Sequence, residues 1–151
     1  MMVYRKRQVG YLATGLILGI GVILVGVILS VGESGERGAM VVALGAFSML
    51  ALLFMSLTVT VDSSSVRLSF GVGLIRRRIP LERIVSASAV RNSWWYGLGI
   101  RLTPHGWMWN IHGLDAVQLT YSNGKHFRIG TADPESLCSA INDSLNRIQS
   151  E

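Results

Sequence analysis

The chain has 151 residues, 50% of them hydrophobic, and a mean hydropathy of +0.42. It is too apolar for an ordinary soluble domain and too short for two large domains. The formal net charge is +5 and the pI is about 10.0. This excess of basic over acidic residues is too small to predict a nucleic-acid partner. A single cysteine, Cys138, excludes an intramolecular disulfide and fits a reducing compartment.

The first apolar run extends over about residues 9–31 and holds no charge. At 1.5 Å per residue, such a helix can cross a hydrocarbon core of about 30 Å. A cleaved signal peptide is the alternative, because Tyr4 to Arg7 resembles a basic leader. The run is longer than a signal-peptide core and lacks a small-residue cleavage site, so we expect a retained transmembrane helix.

The second apolar run is uncharged from Ala39 to Ser56. It predicts a helix over about residues 39–58. From Leu57 onward the residues begin to alternate as in a strand, which places a domain boundary near residue 61. The two runs therefore predict a transmembrane hairpin, joined by the short Gly32 to Gly38 loop.

The orientation of this hairpin follows from its basic flanks. Arg5, Lys6 and Arg7 precede it, and Arg67 and Arg76 to Arg78 follow it. Basic residues favour the cytoplasmic side. We therefore expect a multi-pass protein of the inner (plasma) membrane with both termini in the cytoplasm.

Small residues mark a candidate packing face on the two helices. Gly15 and Gly19 have the GxxxG spacing that allows close helix approach, and Ala39 and Ala43 are the expected partners on the second helix. The alternative is that glycine is simply common in membrane helices.

The remaining residues, 62–151, predict a β domain with one terminal helix. Strands are expected at residues 66–70, 74–79, 84–90, 97–103, 107–112, 116–121 and 125–129. Pro104 to Gly106 and Asn123-Gly124 are hairpin signals between the last two pairs. Asp133 as N-cap and Pro134 at the first helical position predict a helix over about 133–149 with one apolar stripe.

This element order, seven to eight antiparallel strands capped by an amphipathic helix, is that of a pleckstrin-homology-like (PH-like) barrel or sandwich. The runs WYGLGIRLTPHGWMWNI from Trp95, LDAVQL from Leu114 and FRIGTADPESL from Phe127 resemble small bacterial PH-like membrane proteins with two helices. The resemblance implies a membrane-anchored α+β fold, and it implies no catalytic residues.

Two groups of residues are candidates for contact with lipid or a partner. Arg76 and Arg78 share one face of a strand and Arg77 takes the other, so the pair can face anionic headgroups. Trp94 and Trp95 are adjacent, and at least one should be exposed for an interface. The alternatives are ordinary solvated charges and core aromatic residues; we expect Trp107 and Trp109 to lie in the core.

Catalytic and cofactor patterns are not recognisable. The three histidines lack metal-ligand spacing, and the sequence has no phosphate-binding glycine loop. We therefore predict a non-enzyme without a cofactor or metal: a membrane-anchored binding or scaffolding module with lipid or an unknown protein as partner. The alternative is a structural subunit of a larger complex or homo-oligomer assembled through the helices.

Overall fold

The computed structural model describes residues 2–30 and 34–150. In chain order the elements are β1 (Met2–Val9), α1 (Tyr11–Ser30), α2 (Ser34–Phe54), β2 (Ser56–Asp62), β3 (Ser65–Phe70), β4 (Ile75–Pro80), β5 (Ile84–Arg91), β6 (Gly99–Thr103), β7 (Gly106–Asn110), β8 (Asp115–Tyr121), β9 (His126–Gly130) and α3 (Pro134–Ser150). Short 3-10 turns lie at Leu81–Arg83 and Trp94–Tyr96. The fold class is α+β.

The strands form two sheets. Sheet 1 has the order β1-β2-β3-β4 and is antiparallel throughout; sheet 2 has the order β5-β8-β9-β7-β6. Within sheet 2, β7 and β9 run parallel. The expectation of a wholly antiparallel barrel or sandwich is therefore wrong at this pair. The turn signals predict which two strands form each hairpin, but they do not predict how one hairpin pairs with the next.

The core lies between the two sheets and under α3. Alternate residues of β2 and β3 point into it, as their period-2 pattern predicts. Phe70 contacts Trp109, and Trp109 contacts Phe127, so aromatic rings connect sheet 1 to sheet 2. Leu137, Ile141 and Leu145 of α3 close the same cluster.

The predicted transmembrane hairpin is wrong. Among the residues that the structure describes, no helix is long and apolar enough to cross a membrane. Both helices differ from the predicted spans: Val9 belongs to β1, residues 56–58 belong to β2, and α2 begins at Ser34 and so includes Glu36 and Arg37. The membrane-anchored fold class and the multi-pass inner-membrane localisation rested on that hairpin and are wrong with it.

The predicted loop between the helices also changes. Residues 34–38 belong to α2, and Gly32 lies outside the described residues.

The basic N-terminal segment is a strand rather than a topology signal. β1 pairs with β2 from Val9↔Ser56 to Met2↔Asp62. Buried Gln8 connects it to the far side of the fold, where its amide donates to the Gly130 carbonyl at 3.2 Å and accepts from the Ala132 N–H at 3.0 Å. Because β1 precedes residue 61, β2 contains it and both belong to sheet 1, the sheet extends across the predicted domain boundary.

Helix α3 begins and packs as its sequence predicts. The Asp133 carboxylate accepts from the Ser136 N–H at 3.2 Å, which confirms the N-cap. The same carboxylate lies 2.9 Å from the Lys6 ammonium of β1. That hydrogen bond with Lys6 is the main reason that the pKa of Asp133 is lowered, and it also raises the pKa of Lys6.

Helix α3 also covers the edge of sheet 2. The Asn142 side chain accepts from the Ala87 N–H at 3.1 Å and donates to the Ala87 carbonyl at 3.0 Å. Since β5 is an edge strand, this amide takes the place of a neighbouring strand at that residue. The Cys138 thiol donates to the same carbonyl at 3.1 Å.

Candidate functional site

The outer surface of sheet 1 carries five arginines, which we call the arginine face: Arg5, Arg7, Arg67, Arg76 and Arg78. All five are exposed. Each strand presents alternate residues to the two sides of the sheet, so the neighbours Tyr4, Lys6, Gln8, Leu68 and Ile79 point the other way. The alternation predicted for Arg76, Arg77 and Arg78 is confirmed: the outer two are exposed and Arg77 is half-buried.

The strand register arranges the arginine face in two rows. One row runs Arg5, Thr60, Arg67, Arg78, and the other runs Arg7, Thr58, Ser69, Arg76. With about 4.8 Å between strands, the arginines at the two ends of a row are about 14 Å apart at Cα, and the rows are about 7 Å apart. The face is therefore broad enough for several anionic groups at once.

The arginines of β3 and β4 are held by local contacts. The Arg67 guanidinium lies 2.8 Å from the Asp62 carboxylate. Arg78 donates to the Ser65 and Ser64 hydroxyls at 3.1 and 3.4 Å. Arg76 donates to the Gly73 carbonyl. These bonds fix three side chains over the sheet while leaving further N–H groups of each guanidinium for a ligand.

The arginines of β1 differ from these three. The side chains of Arg5 and Arg7 make no hydrogen bond or ion pair with any described residue. Their charges are therefore not neutralised by the described part of the chain.

Asp62 forms the acidic end of the arginine face. Its partial burial alone would raise the pKa, but hydrogen bonds donated by Ser64 and Ser65 outweigh that effect and lower the pKa to about 2. The carboxylate thus stays ionised at any ordinary pH and continues to pair with Arg67.

A shallow cleft of about 1420 Å³ lies over this surface. Its lining includes all five arginines, together with Thr58, Thr60 and the 71–73 turn, and Asp62 is the one carboxylate among the described residues that line it. Arg77 lines the cleft as well, so five guanidinium charges remain uncompensated by the described lining residues. Such a surface attracts anions and disfavours cations.

Trp94 and Trp95 lie in the connection between β5 and β6 of sheet 2. Their rings stack with centroids 3.7 Å apart, and they are 65% and 72% exposed. The expectation that at least one of the two is exposed is therefore confirmed, since both are. Their contact with lipid or a partner stays a prediction. Trp109 is buried as expected, but Trp107 is 48% exposed, so its predicted place in the core is wrong.

The candidate packing residues on the helices face open space. A Cβ added at Gly15 or Gly19 meets no described atom within 4 Å, and Ala39 and Ala43 are exposed. Half-buried residues recur instead at Ile17, Leu24, Leu44 and Phe47, which marks the sides where α1 and α2 face each other. Packing of the glycines against another chain stays a prediction.

One basic residue of the β domain, Arg128, lies in the interior rather than on the surface. Arg128 is buried and donates to the Gln118 side-chain oxygen at 2.9 Å and to the Asn92 side-chain oxygen at 3.0 Å. Burial lowers the pKa of its guanidinium. Its charge therefore does not contribute to a contact surface.

Sequence reasoning identified Arg76 and Arg78 but missed Arg5 and Arg7 as their companions. The signal was present in the alternation of Tyr4 to Gln8, where arginine occupies every second position. The apolar run that follows directly favours a membrane-topology interpretation of the same basic residues.

A scan of protein-family models finds no match to the chain, and a search of curated proteins finds none either. The PH-like resemblance therefore stays a prediction.

Proposed function

We propose that the protein is a non-catalytic binding or scaffolding module of PH-like type that uses the arginine face to hold a surface of anionic lipid headgroups. One observation carries this proposal: five arginines from three strands lie in two rows on one exposed side of sheet 1, and Asp62 is the one described carboxylate that pairs with them.

The dimensions of the face favour a surface over a single small anion. The guanidinium groups are distributed over a footprint of about 14 by 7 Å, and several separate headgroups can occupy that area. Lipid headgroups supply such a two-dimensional array of charges, and each well-placed arginine contributes about 1 kcal/mol near an anionic surface. Four uncompensated arginines therefore contribute up to about 4 kcal/mol, or about a thousandfold in affinity.

The test compares the full chain, kept in a nonionic detergent, with variants that lose two charges. Arg5→Gln/Arg7→Gln removes two arginines of the face without breaking a contact described for the fold. Arg91→Gln/Arg147→Gln is the matched control, because it removes two exposed charges elsewhere. Binding is measured to lipid nanodiscs that contain phosphatidylglycerol and to nanodiscs of phosphatidylcholine alone, so that apolar contacts common to both are subtracted.

We expect the first variant to weaken the binding to phosphatidylglycerol nanodiscs by about tenfold or more, and the control by much less. The preference for anionic nanodiscs should also decline as salt rises from about 0.1 to 1 M, where the screening length falls from about 10 to 3 Å. Equal affinities for the two kinds of nanodisc, or equal losses in the two variants, would refute the proposal.

A second candidate function is a structural subunit that assembles with a second copy of itself through α1 and α2. The outer side of the helix pair exposes large apolar side chains, which include Leu16, Leu18, Val22, Ile23, Leu29, Val41 and Val42. An apolar surface of this extent marks an interaction site. We infer that a second copy of the chain covers this surface. Helix α1 carries no charge, so two copies of it would not repel each other, whereas two arginine faces would.

The mass of the full chain in detergent, measured by light scattering, tests this second candidate. We expect a multiple of 16.5 kDa, and Val22→Ser/Ile23→Ser should shift the mass toward a single copy. Val85→Ser, at an exposed position of β5, is the control that should leave the mass unchanged. A single-copy mass for the unaltered protein at all concentrations would exclude assembly through the helices.

A further inference from the structure

A second basic depression lies at the edge of the arginine face, between the end of β4 and the β8–β9 hairpin. It has a volume of about 370 Å³ and is lined by Arg77, Arg78, Ile79, Pro80, Arg83, Tyr121, Ser122, Asn123 and Lys125. We call it the hairpin pocket. Four of these residues are cations and none is a carboxylate, so the charge of the lining is uncompensated within it.

The backbone around the hairpin pocket is fixed by hydrogen bonds. The Ser122 N–H donates to the Arg83 carbonyl at 3.0 Å, which ties the hairpin to the 3-10 turn after β4. The Tyr121 N–H donates to the Lys125 carbonyl at 2.9 Å, and the Lys125 N–H donates to the Asn123 side chain at 3.1 Å. The residues that carry Arg83 and Lys125 are therefore held at defined places on the rim, although both side chains are exposed.

Two further polar groups are positioned on the inner side of the pocket. The Arg77 guanidinium lies 4.4 Å from the centroid of the Phe127 ring, a stacking contact that orients its N–H groups. The Tyr121 side chain is half-buried beside it. Burial raises the pKa of Tyr121 and the nearby Arg77 charge opposes that rise. The net pKa is raised, so the hydroxyl remains protonated and can donate.

We infer that the hairpin pocket binds a phosphomonoester group. A guanidinium of β4, a phenol of β8 and an ammonium of the β8–β9 turn line one small volume. A phosphomonoester would supply three terminal oxygens and close to two negative charges there. A carboxylate has two oxygens and one charge, and a phosphodiester also has one charge, so each would leave more of the lining cations uncompensated. The volume lies within the range of small-ligand sites and leaves room for a small alcohol moiety beside the phosphate.

This inference deepens the proposed function, because Arg77 and Arg78 line both the cleft over the arginine face and the hairpin pocket. The two sites can nevertheless be tested apart. Arg83 and Lys125 line only the hairpin pocket, whereas Arg5 and Arg7 line only the cleft over the arginine face.

The experiment is calorimetric titration of the full chain, in nonionic detergent, with inorganic phosphate, glycerol 3-phosphate and dimethyl phosphate at a mildly alkaline pH. We expect saturable binding of the first two and weaker binding of dimethyl phosphate. Arg83→Gln/Lys125→Gln should weaken the binding of glycerol 3-phosphate by about tenfold or more, because two charged contacts are lost. Arg5→Gln/Arg7→Gln, with the same loss of net charge, should change it by much less.

A single-atom variant keeps the test independent of net charge. Tyr121→Phe removes only the hydroxyl, and we expect it to weaken the binding of glycerol 3-phosphate several-fold. Equal affinity for dimethyl phosphate and glycerol 3-phosphate, equal losses in the two double variants, or no saturable binding of any of the three anions would overturn the inference.

The source of the phosphomonoester is distinguished by a lipid arm. Phosphatidic acid carries a phosphomonoester at a lipid surface, and glycerol 3-phosphate carries it in solution. A loss of binding to phosphatidic-acid nanodiscs in Arg83→Gln/Lys125→Gln, with binding to phosphatidylglycerol nanodiscs retained, supports a headgroup ligand. A loss for glycerol 3-phosphate alone supports a soluble ligand. Failure of Arg5→Gln/Arg7→Gln to affect phosphatidylglycerol nanodiscs contradicts the proposed function and leaves the hairpin pocket untouched.

Discussion

At the scale of the residue, Asp62 links the stability of the β2–β3 turn to the charge of the arginine face. Its carboxylate accepts from the Ser64 N–H at 2.9 Å and from the Ser65 N–H at 2.7 Å, and it pairs with Arg67 at 2.8 Å. An asparagine at this position keeps an acceptor oxygen but loses the charge. The substitution Asp62→Asn therefore separates the turn geometry from the electrostatics.

This separation gives a pH-dependent prediction. The pKa of Asp62 is about 2 in the folded chain, against about 3.9 when unfolded. A lowered folded-state pKa contributes stability that is complete above about pH 5 and is lost as the pH falls toward about 2. Near neutral pH we expect Asp62→Asn to lower the free energy of unfolding by about 1 kcal/mol.

Chemical unfolding measured across this range checks the prediction. The difference between the two proteins should be constant above about pH 5 and shrink between about pH 4 and pH 2. Asp143→Asn, on the exposed side of α3, is the control. A difference that stays constant down to pH 2 would show that the Asp62 charge does not stabilise the turn.

At the scale of the element, sequence patterns correctly predicted the turns and the helix start that depend on a few adjacent residues. The Asn123-Gly124 hairpin, the turn at Pro104 to Gly106 and the start of α3 were all predicted close to their observed bounds. Each depends on a few adjacent residues: a turn dipeptide, a capping carboxylate or a proline at the first helical position. β1 was missed because its strand pattern is short and stands beside an apolar run that dominates any window containing it.

Pairing between distant elements could not be predicted in the same way. The parallel contact of β7 with β9 and the contact of Gln8 with Gly130 join residues far apart in the chain. Such contacts depend on how the two sheets pack as a whole rather than on local propensity. Likewise, Arg76 and Arg78 were recognisable as a pair, but their grouping with Arg5 and Arg7 required the order of strands in sheet 1.

At the scale of the whole molecule, the exposed charge and the exposed apolar surface lie on different elements. The arginine face covers the outer side of sheet 1, while the exposed apolar residues concentrate on α1 and α2. The turn at Gly71 lies against the C-terminal end of α2, where a Cβ would collide with the Leu52 and Leu53 carbonyl oxygens. The two surfaces are therefore neighbours at this turn.

The most direct test of the arginine face is the protection of a residue at its centre. Thr58 lies between Arg7 and Ser69 in one row of the face, and Ser139 lies on the exposed side of α3. In a Cys138→Ser background, Thr58→Cys and Ser139→Cys are alkylated separately with phosphatidylglycerol or phosphatidylcholine nanodiscs present. We expect alkylation at position 58 to slow several-fold with phosphatidylglycerol alone and to recover at high salt, while position 139 reacts equally with both lipids. Equal rates at position 58 with the two lipids, or protection confined to position 139, would contradict the binding of anionic headgroups by the arginine face.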